Sequence, residues 1–322
     1  MSYKVKDLDE LQEIIKRCNR KKDFTEVENL DVSELNDLSS AFACCGNLIY
    51  IDLNKWDVSN VENMARMFAE CNNLKYVKLS KWNVSKVKNM RGMFYGCSDL
   101  ILLPVLNWDV SNVETMLIMF CNCYNLKGLN ISKWNVSKVK NMCGMFEKCE
   151  RIQTLNISKW NVSNVKNMME MFYGCECLRN LKISDWDVSK VENMDGMFGF
   201  CERLKTLDIS DWDVSSVEAM GHMFICCDRL KELDLSKWNI SNVKDICRMF
   251  RCCSNIEKLK LSNLNVSNIE NYFKAKELFY CCGELKSLDI LNWDVSISDN
   301  NLNICTYDNK LNIIDGLLFT LD

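Results

Sequence analysis

The sequence predicts an α/β solenoid of about ten strand-helix units, each 26 residues long, with a parallel sheet on the concave face. Three observations lead there. Trp stands at 56, 82, 108, 134, 160, 186, 212 and 238, and every step is 26 residues. Written from the Trp, the same unit returns each time: W-[DN]-V-S-x-V-x-N-M-x-x-M-F-x-x-C-x-x-L-x-x-L-x-[IL]-S-x. Within it the apolar spacing changes from three-and-four to two, as it does when a helix gives way to a strand. The same register reaches Leu30 and Leu264, and Trp293 follows Leu264 by 29 residues, a three-residue insertion near Phe273 to Glu277. The array therefore spans 30–292, flanked by 1–29 and 293–322.

In the unit beginning at Trp56, Met64, Met67, Phe68 and Cys71 fall at i, i+3, i+4 and i+7, the spacing of one face of a short helix. Ser59 followed by Glu62 reads as a capping box ahead of that helix. Leu74, Val77 and Leu79 then form L-x-x-L-x-L, the last two at the period of a strand with one buried side. Strands separated by about twenty residues that include a helix cannot pair as hairpins, so they lie parallel. The open ends of such a stack need covers. Leu8, Leu11, Ile14, Ile15 and Cys18 share a helical stripe and predict an N-terminal helical cap within 1–29. Ile304, Leu311, Ile313, Ile314, Leu317, Leu318 and Phe319 predict a C-terminal cap within 293–322. Capped ends predict a monomer; uncapped ends would make a self-assembling structural protein.

Composition narrows the chemistry. With 40 Lys+Arg against 44 Asp+Glu the formal charge of the 322-residue chain is −4, which gives no basis for nucleic-acid or anionic-membrane binding. No stretch approaches the roughly 20 apolar residues that span a bilayer. The opening MSYKVKDLDELQEIIKRC carries no secretory leader, which points to the cytoplasm, with the cell surface or a leaderless export route as the alternative. A single His disfavours catalytic triads and His-rich metal sites, and no cofactor is implied. His222 occupies a position held elsewhere by Arg66, Gly92, Ile118, Gly144, Glu170, Gly196 and Arg248, which reads as exposed and without a catalytic partner. Ten of the 20 Cys share one register position, 45, 71, 97, 123, 149, 175, 201, 227, 253 and 282, and read as a buried ladder suited to a reducing compartment. The vicinal pairs Cys226–Cys227, Cys252–Cys253 and Cys281–Cys282 could stack at one edge and bind zinc. No C-x-x-C knuckle is present, so no metal site is predicted. The Trp column reads as core rather than as a stacking platform for bases or sugars. The N-V-S triplets at Asn83, Asn135, Asn161 and Asn265 match a glycosylation sequon but follow from the recurring turn.

The segment L-x-x-L-x-[IL]-S-x-W-x-V resembles the leucine-rich repeat, with Trp where Asn usually stands. The segment N-M-x-x-M-F-x-x-C, followed by L-x-x-L, is similar to the repeats of BspA-like bacterial surface proteins. The resemblance extends over 30–292 and implies a leucine-rich-repeat horseshoe with a role in adhesion or protein binding and no enzymatic activity. Members of that family are often exported or lipid-anchored, and neither a leader nor a lipobox-like segment is seen here.

Outward strand positions in such repeats meet ligands. Here they include Lys55, Lys78, Lys81, Lys133 and Lys159 toward the N-terminus, and Asp185, Asp187, Asp208, Asp211, Asp213 and Asp234 toward the C-terminus. The expected partner is a protein with a basic segment, steered to the carboxylates with Asp208, Asp211 and Asp234 central; a merely solvated face is the alternative. Units with Asp after Trp carry Glu five residues later, and units with Asn carry Lys. From Glu62 to Lys244 five of seven neighbouring pairs are opposite in charge, which predicts ion pairs between adjacent units.

Overall fold

The computed structural model describes residues 3–262, 264, 269 and 277–289. The expected C-terminal cap, Trp293 and Asn265 lie outside these residues. The chain divides into two compact units, Met1–Asn164 and Val165–Asp322. Both are built from coils of 26 residues, with one step of 29, from Phe250 to Phe279, in the second unit.

The first unit opens with β1 (Tyr3–Lys4), α1 (Leu8–Lys21) and β2 (Leu30–Asp31). Asp7 caps α1 by accepting from the Glu10 N–H at 2.9 Å, Asp9 and Glu10 lie in its first turn, and Arg20 and Lys21 in its last. The helix stops at Lys22, which turns left-handed at φ 59°. Its apolar stripe, Leu11, Ile14, Ile15 and Cys18, is buried. The coils that follow carry β3 (Tyr50–Asp52), β4 (Tyr76–Lys78), β5 (Leu102–Leu103), β6 (Gly128–Leu129) and β7 (Thr154–Leu155). β3 pairs parallel with β4, setting Tyr50, Ile51 and Asp52 against Tyr76, Val77 and Lys78; β5 pairs likewise with β6. In the second unit β8 (Asn180–Leu181) is followed by a parallel sheet in which β10 (Lys258–Lys260) lies between β9 (Glu232–Asp234) and β11 (Ser287–Asp289).

The expected helix of each repeat is absent: α1 is the one α-helix among the described residues, and the strand-helix unit is replaced by a coil of strand and turns. Residues 64–71 show why. The N–H groups of Met64, Arg66, Phe68 and Glu70 donate to Asn89, Arg91, Met93 and Tyr95 in the next coil at 2.7–2.9 Å. Those of Met67, Ala69 and Cys71 donate three residues back, to Met64, Arg66 and Phe68. Alternate donors thus leave the coil, and the i to i−4 ladder of an α-helix cannot form. Arg66 at φ 57° and Glu70 at φ 59° reverse the chain twice within the segment. The result still buries Met64, Met67, Phe68 and Cys71 completely, so consecutive turns imitate the burial pattern of a helix without its hydrogen bonds. The capping box is likewise replaced. The N–H of Ser59 donates to Asp57 Oδ1 at 3.0 Å in a side-chain-closed turn, and Glu62 reaches across to Lys88.

Inside each coil the large side chains stack on those of the next. In the first unit the rings of Trp56, Trp82, Trp108, Trp134 and Trp160 succeed one another at 6.2–6.5 Å with planes within 8°. Each indole Nε1–H donates to a carbonyl 29 residues earlier: Trp56 to Val27 at 3.0 Å, Trp82 to Leu53 at 2.8 Å, Trp134 to Val105 at 3.0 Å. The ladder cysteines do the same. Cys71, Cys97 and Cys123 direct Sγ to the carbonyls of Phe42, Phe68 and Phe94 at 3.0–3.1 Å, and burial pushes the Cys97 thiol well above its ordinary range. The second unit repeats both columns, with Trp212 on Ile183 at 3.1 Å and Cys201 on Phe172 at 3.2 Å.

Replacing Trp82 with Phe keeps a ring in the column but removes one of the two donors to the Leu53 carbonyl, which retains the Trp56 N–H at 3.0 Å. Urea denaturation should show a loss of about 0.5–1.5 kcal/mol, the range for one intramolecular hydrogen bond. Gly96 sits at φ 71°, and a Cβ there would lie 2.9 Å from Glu70 Oε2, a flexible side-chain end that can move aside. Gly96→Ala should therefore lower stability by about 1–2 kcal/mol through the left-handed backbone itself, measured by the same denaturation.

Candidate functional site

Each coil spends its inward positions on packing and leaves four columns of outward side chains around the strand: the residue before the buried Leu, Ile or Val, the residue after it, and the two residues flanking the Trp. The sequence-predicted residues all fall in these columns, and the structure separates those tied up locally from those facing solvent.

In the first unit Lys78 ends β4. Its Nζ contacts Asp52 Oδ2 at 3.2 Å and lies 5.6 Å from the centre of the Tyr50 ring. Lys55 bonds Asn29 Oδ1 at 2.7 Å. Lys81 follows in the next coil, its backbone N–H on Asn54 Oδ1 at 3.2 Å, and Lys133 and Lys159 stand exposed further along the same column.

In the second unit Asp187 and Asp213 serve turns. Asp187 accepts from the Ser189 N–H at 3.1 Å and its hydroxyl at 2.6 Å, and Asp213 from the Ser215 N–H at 3.0 Å. Asp185 and Asp208 accept from Ser184 at 3.2 Å and Ser210 at 3.1 Å. Asp211 pairs with Lys237 at 2.6 Å, and Asp234 with Lys260 at 2.8 Å and the Ser236 hydroxyl at 2.6 Å. Burial works to raise the Asp234 pKa, but Lys260 and Ser236 outweigh it and hold the carboxyl below the ordinary range. Arg179, Lys182, Lys205 and Lys231 occupy outward positions on the same strand side. The carboxylates are therefore interleaved with cations rather than gathered into one acidic field.

The exposed apolar residues were not singled out by sequence. Among the described residues the large hydrophobic side chains with high exposure are Tyr3, Ile49, Tyr50, Tyr76 and Leu102. Tyr3 bonds Glu10 on the terminal segment. The other four lie together on the strand side of the first unit. Tyr50, Tyr76 and Leu102 are 45%, 43% and 49% exposed on three successive coils, and the next residue of the column, Gly128, leaves the backbone bare beside Leu102. Lys55, Lys75, Lys78, Lys81 and Lys127 surround this strip, with Asp52, Asp57 and Asp109 the acidic residues of the same outward columns and Glu28 bonded to the Asp52 N–H at 2.9 Å. A signal existed in the sequence. The column before the buried Leu or Ile reads Tyr, Tyr, Leu, Gly in the first coils and Thr, Asn, Thr, Glu, Lys later.

The charge alternation between coils appears as ion pairs of 2.7–2.9 Å: Glu62–Lys88 and Glu114–Lys140 in the first unit, Lys166–Glu192 and Glu218–Lys244 in the second. All are exposed, where such a pair contributes about 0–1 kcal/mol. His222, half-exposed at φ 58°, has Nδ1 3.6 Å from Asp195. Among the described residues no three His, Cys, Asp or Glu side chains converge to hold a metal ion, and no helix is long and apolar enough to cross a membrane.

The family model described as "Mycoplasma protein of unknown function, DUF285" matches residues 9–102, 99–207 and 193–313. No curated protein matches the chain. Solved structures similar to it include a leucine-rich repeat protein from Bacteroides ovatus, 19% identical over 79% of this chain and 63% of that one, with a TM-score of 0.45. A plant peptide hormone receptor in complex with RGF2 is 12% identical over 76% and 51%, TM-score 0.26, and an LRR protein of Leptospira interrogans is 15% identical over 86% of each chain, TM-score 0.25. The chain spans less than two thirds of the Bacteroides protein and about half of the plant receptor.

The turn carboxylates set the acid response. The Ser59 hydroxyl and N–H hold Asp57 below the ordinary aspartate range, and Ser189 does the same for Asp187. A carboxyl whose folded pKa is depressed contributes stability that is complete above its unfolded value of about 3.9 and is lost as pH falls through the lower folded value. Thermal melts should hold from about pH 7 to about pH 5 and fall below about pH 4, and a Ser59→Ala/Ser189→Ala double variant should show a shallower fall.

Proposed function

From the premise that the chain belongs to the family described as "Mycoplasma protein of unknown function, DUF285", we propose that it is a non-catalytic protein-binding scaffold that recognises a partner through the outward face of its parallel strands. The observation that carries this reading is the strip Tyr50, Tyr76 and Leu102, held half-exposed on three consecutive coils and bordered by lysines. Exposed aromatic residues in a row are expensive in water and are the residue types that anchor protein interfaces. The surrounding lysines select an extended partner segment carrying carboxylates between apolar side chains, with Lys78 over Tyr50 ready to accept one of them.

The buried thiol ladder supports a reducing, cytoplasmic setting. The resemblance of N-M-x-x-M-F-x-x-C to BspA-like repeats supports presentation at a cell surface as an adhesin; the binding face is the same in either setting.

Selection of a displayed peptide library on the wild-type chain tests the proposal. Enriched peptides should be acidic with interspersed apolar residues, bind more weakly as salt rises, and lose at least about tenfold in affinity against a Tyr50→Ser/Tyr76→Ser/Leu102→Ser variant whose melting temperature is unchanged. Enrichment of basic peptides that depend instead on Asp208, Asp211 and Asp234 would transfer recognition to the second unit and overturn the assignment to the aromatic strip.

A further inference from the structure

The vicinal cysteines of the second unit divide into two columns. Cys227, Cys253 and Cys282 are buried and direct Sγ to the carbonyls of Phe198, Phe224 and Phe250 at 3.2, 3.0 and 3.1 Å. Their neighbours Cys226, Cys252 and Cys281 adopt left-handed φ values of 56°, 58° and 62° and are only partly buried. They occupy one register position on three successive coils. The Cys226 N–H donates to the Arg251 carbonyl at 2.8 Å and the Cys252 N–H to the Tyr280 carbonyl at 2.7 Å, so the backbones beside the thiols are in direct contact. Cys252 therefore stands between Cys226 and Cys281, one coil from each, and Arg251 precedes it in the chain. In the first unit the same position holds Cys44, Glu70, Gly96, Asn122 and Lys148, so its one thiol there has no thiol neighbour in the next coil.

We propose that Cys226, Cys252 and Cys281 form a peroxide-oxidisable thiol site, in which Cys252 is oxidised first and then bridges to one of its two neighbours. Three thiols in a row, rather than around a point, suit a disulfide between adjacent coils better than a metal ion. The Cys252 thiolate, beside Arg251, attacks a peroxide oxygen; the O–O bond breaks, one oxygen stays as sulfenic acid and the other leaves as water. The sulfur of Cys226 or Cys281 then attacks the Cys252 sulfur, the S–O bond breaks, and the departing hydroxide takes up the thiol proton as a second water. Two thiols have lost two electrons and the peroxide has gained them. Burial first, then the neighbouring Cys252 and Asp228, push the Cys226 thiol up to about 12; conversion of Cys252 to a neutral sulfenic acid removes one of those causes and prepares Cys226 for the second step.

Parallel neighbours stand about 4.8 Å apart, inside the roughly 4.4–6.8 Å Cα range of disulfides, yet their Cβ atoms must close by about 1 Å. A surface turn can give that movement, whereas the Cys227 column, packed and bonded to carbonyls, cannot. A bridge made at the expense of such movement is strained and readily reduced, so the oxidation is reversible.

The test uses the full chain, reduced, treated with one equivalent of hydrogen peroxide, alkylated and digested with trypsin. Cys226, Cys252 and Cys281 then fall in separate peptides, 206–229, 252–258 and 277–286. Peptide 252–258 should appear joined to one of the other two, lighter than their sum by two hydrogens, with loss of two titratable thiols that dithiothreitol restores. Cys252→Ser should abolish both products. A Cys226→Ser/Cys281→Ser variant, which retains Cys252 but no resolving thiol, should accumulate a sulfenic acid at Cys252 trappable by dimedone. Thiol loss without either joined peptide, a bridge within the pair Cys226–Cys227, or joined peptides that persist in Cys252→Ser would overturn the proposal.

Discussion

The hydrogen bonds that leave one coil for the next are the constraint on which the structure depends. In residues 64–71 every second N–H is spent on the following coil and the others close turns within it, so neither donor set can be lost without opening the stack. This division of labour decides the rest of the local geometry. It excludes a helix, requires left-handed residues at Arg66 and Glu70, and turns Met64, Met67, Phe68 and Cys71 toward the axis of the coil. It also keeps the same positions of adjacent coils facing one another, across the 29-residue step from Phe250 to Phe279 as across the 26-residue steps before it.

The side-chain columns are consequences of that register. A coil built from turns leaves carbonyls pointing into the core, where an unpaired acceptor is costly. The turn N–H groups occupy one lone pair, as those of Trp56 and Cys71 do on Leu53 and Phe68. Trp and Cys of the next coil supply a second donor: the indole N–H and the thiol both reach a carbonyl 29 residues earlier, in the preceding coil. Trp couples that bond to a large buried ring, and Cys fits a site too small for most other donors while remaining apolar enough to bury. The high cysteine content thus has a packing explanation that involves no cross-linking. Among the described residues no buried side-chain nitrogen or oxygen lacks a partner.

With the interior committed, variation is confined to the outward columns, and these differ sharply in freedom. Asp57, Asp187 and Asp213 are engaged by turn N–H groups, and Asp211 and Asp234 by lysines of the next coil. Tyr50, Tyr76 and Leu102 lie half-exposed on the strand side. A scaffold whose stability resides in backbone and core ladders can carry such a strip with little effect on folding, which is why recognition can sit there. The outer thiols of the second unit are a comparable case: their register position asks only for a left-handed backbone, and what the side chain does outside is unconstrained by the fold.

The repeat period, the inward residues, the buried indoles and the thiol ladder were legible in the sequence by itself, because repetition at one spacing exposes which positions never tolerate a polar residue. The conformation between those positions was not. Spacing at i, i+3, i+4 and i+7 is the burial signature of a helix, and paired turns reproduce it; only Gly92, Gly144 and Gly196 at one position, with Gly96 and Gly174 four residues further along the unit, hinted at a backbone that needs positive φ. The outward residues could be listed but not ranked, since whether Asp211 meets Lys237 or Lys78 covers Tyr50 depends on neighbours 26 residues away. Burial is a property of each residue type and survives in the sequence; hydrogen-bond partners and exposed patches are properties of pairs of coils, and they come into being only when one coil is laid on the next.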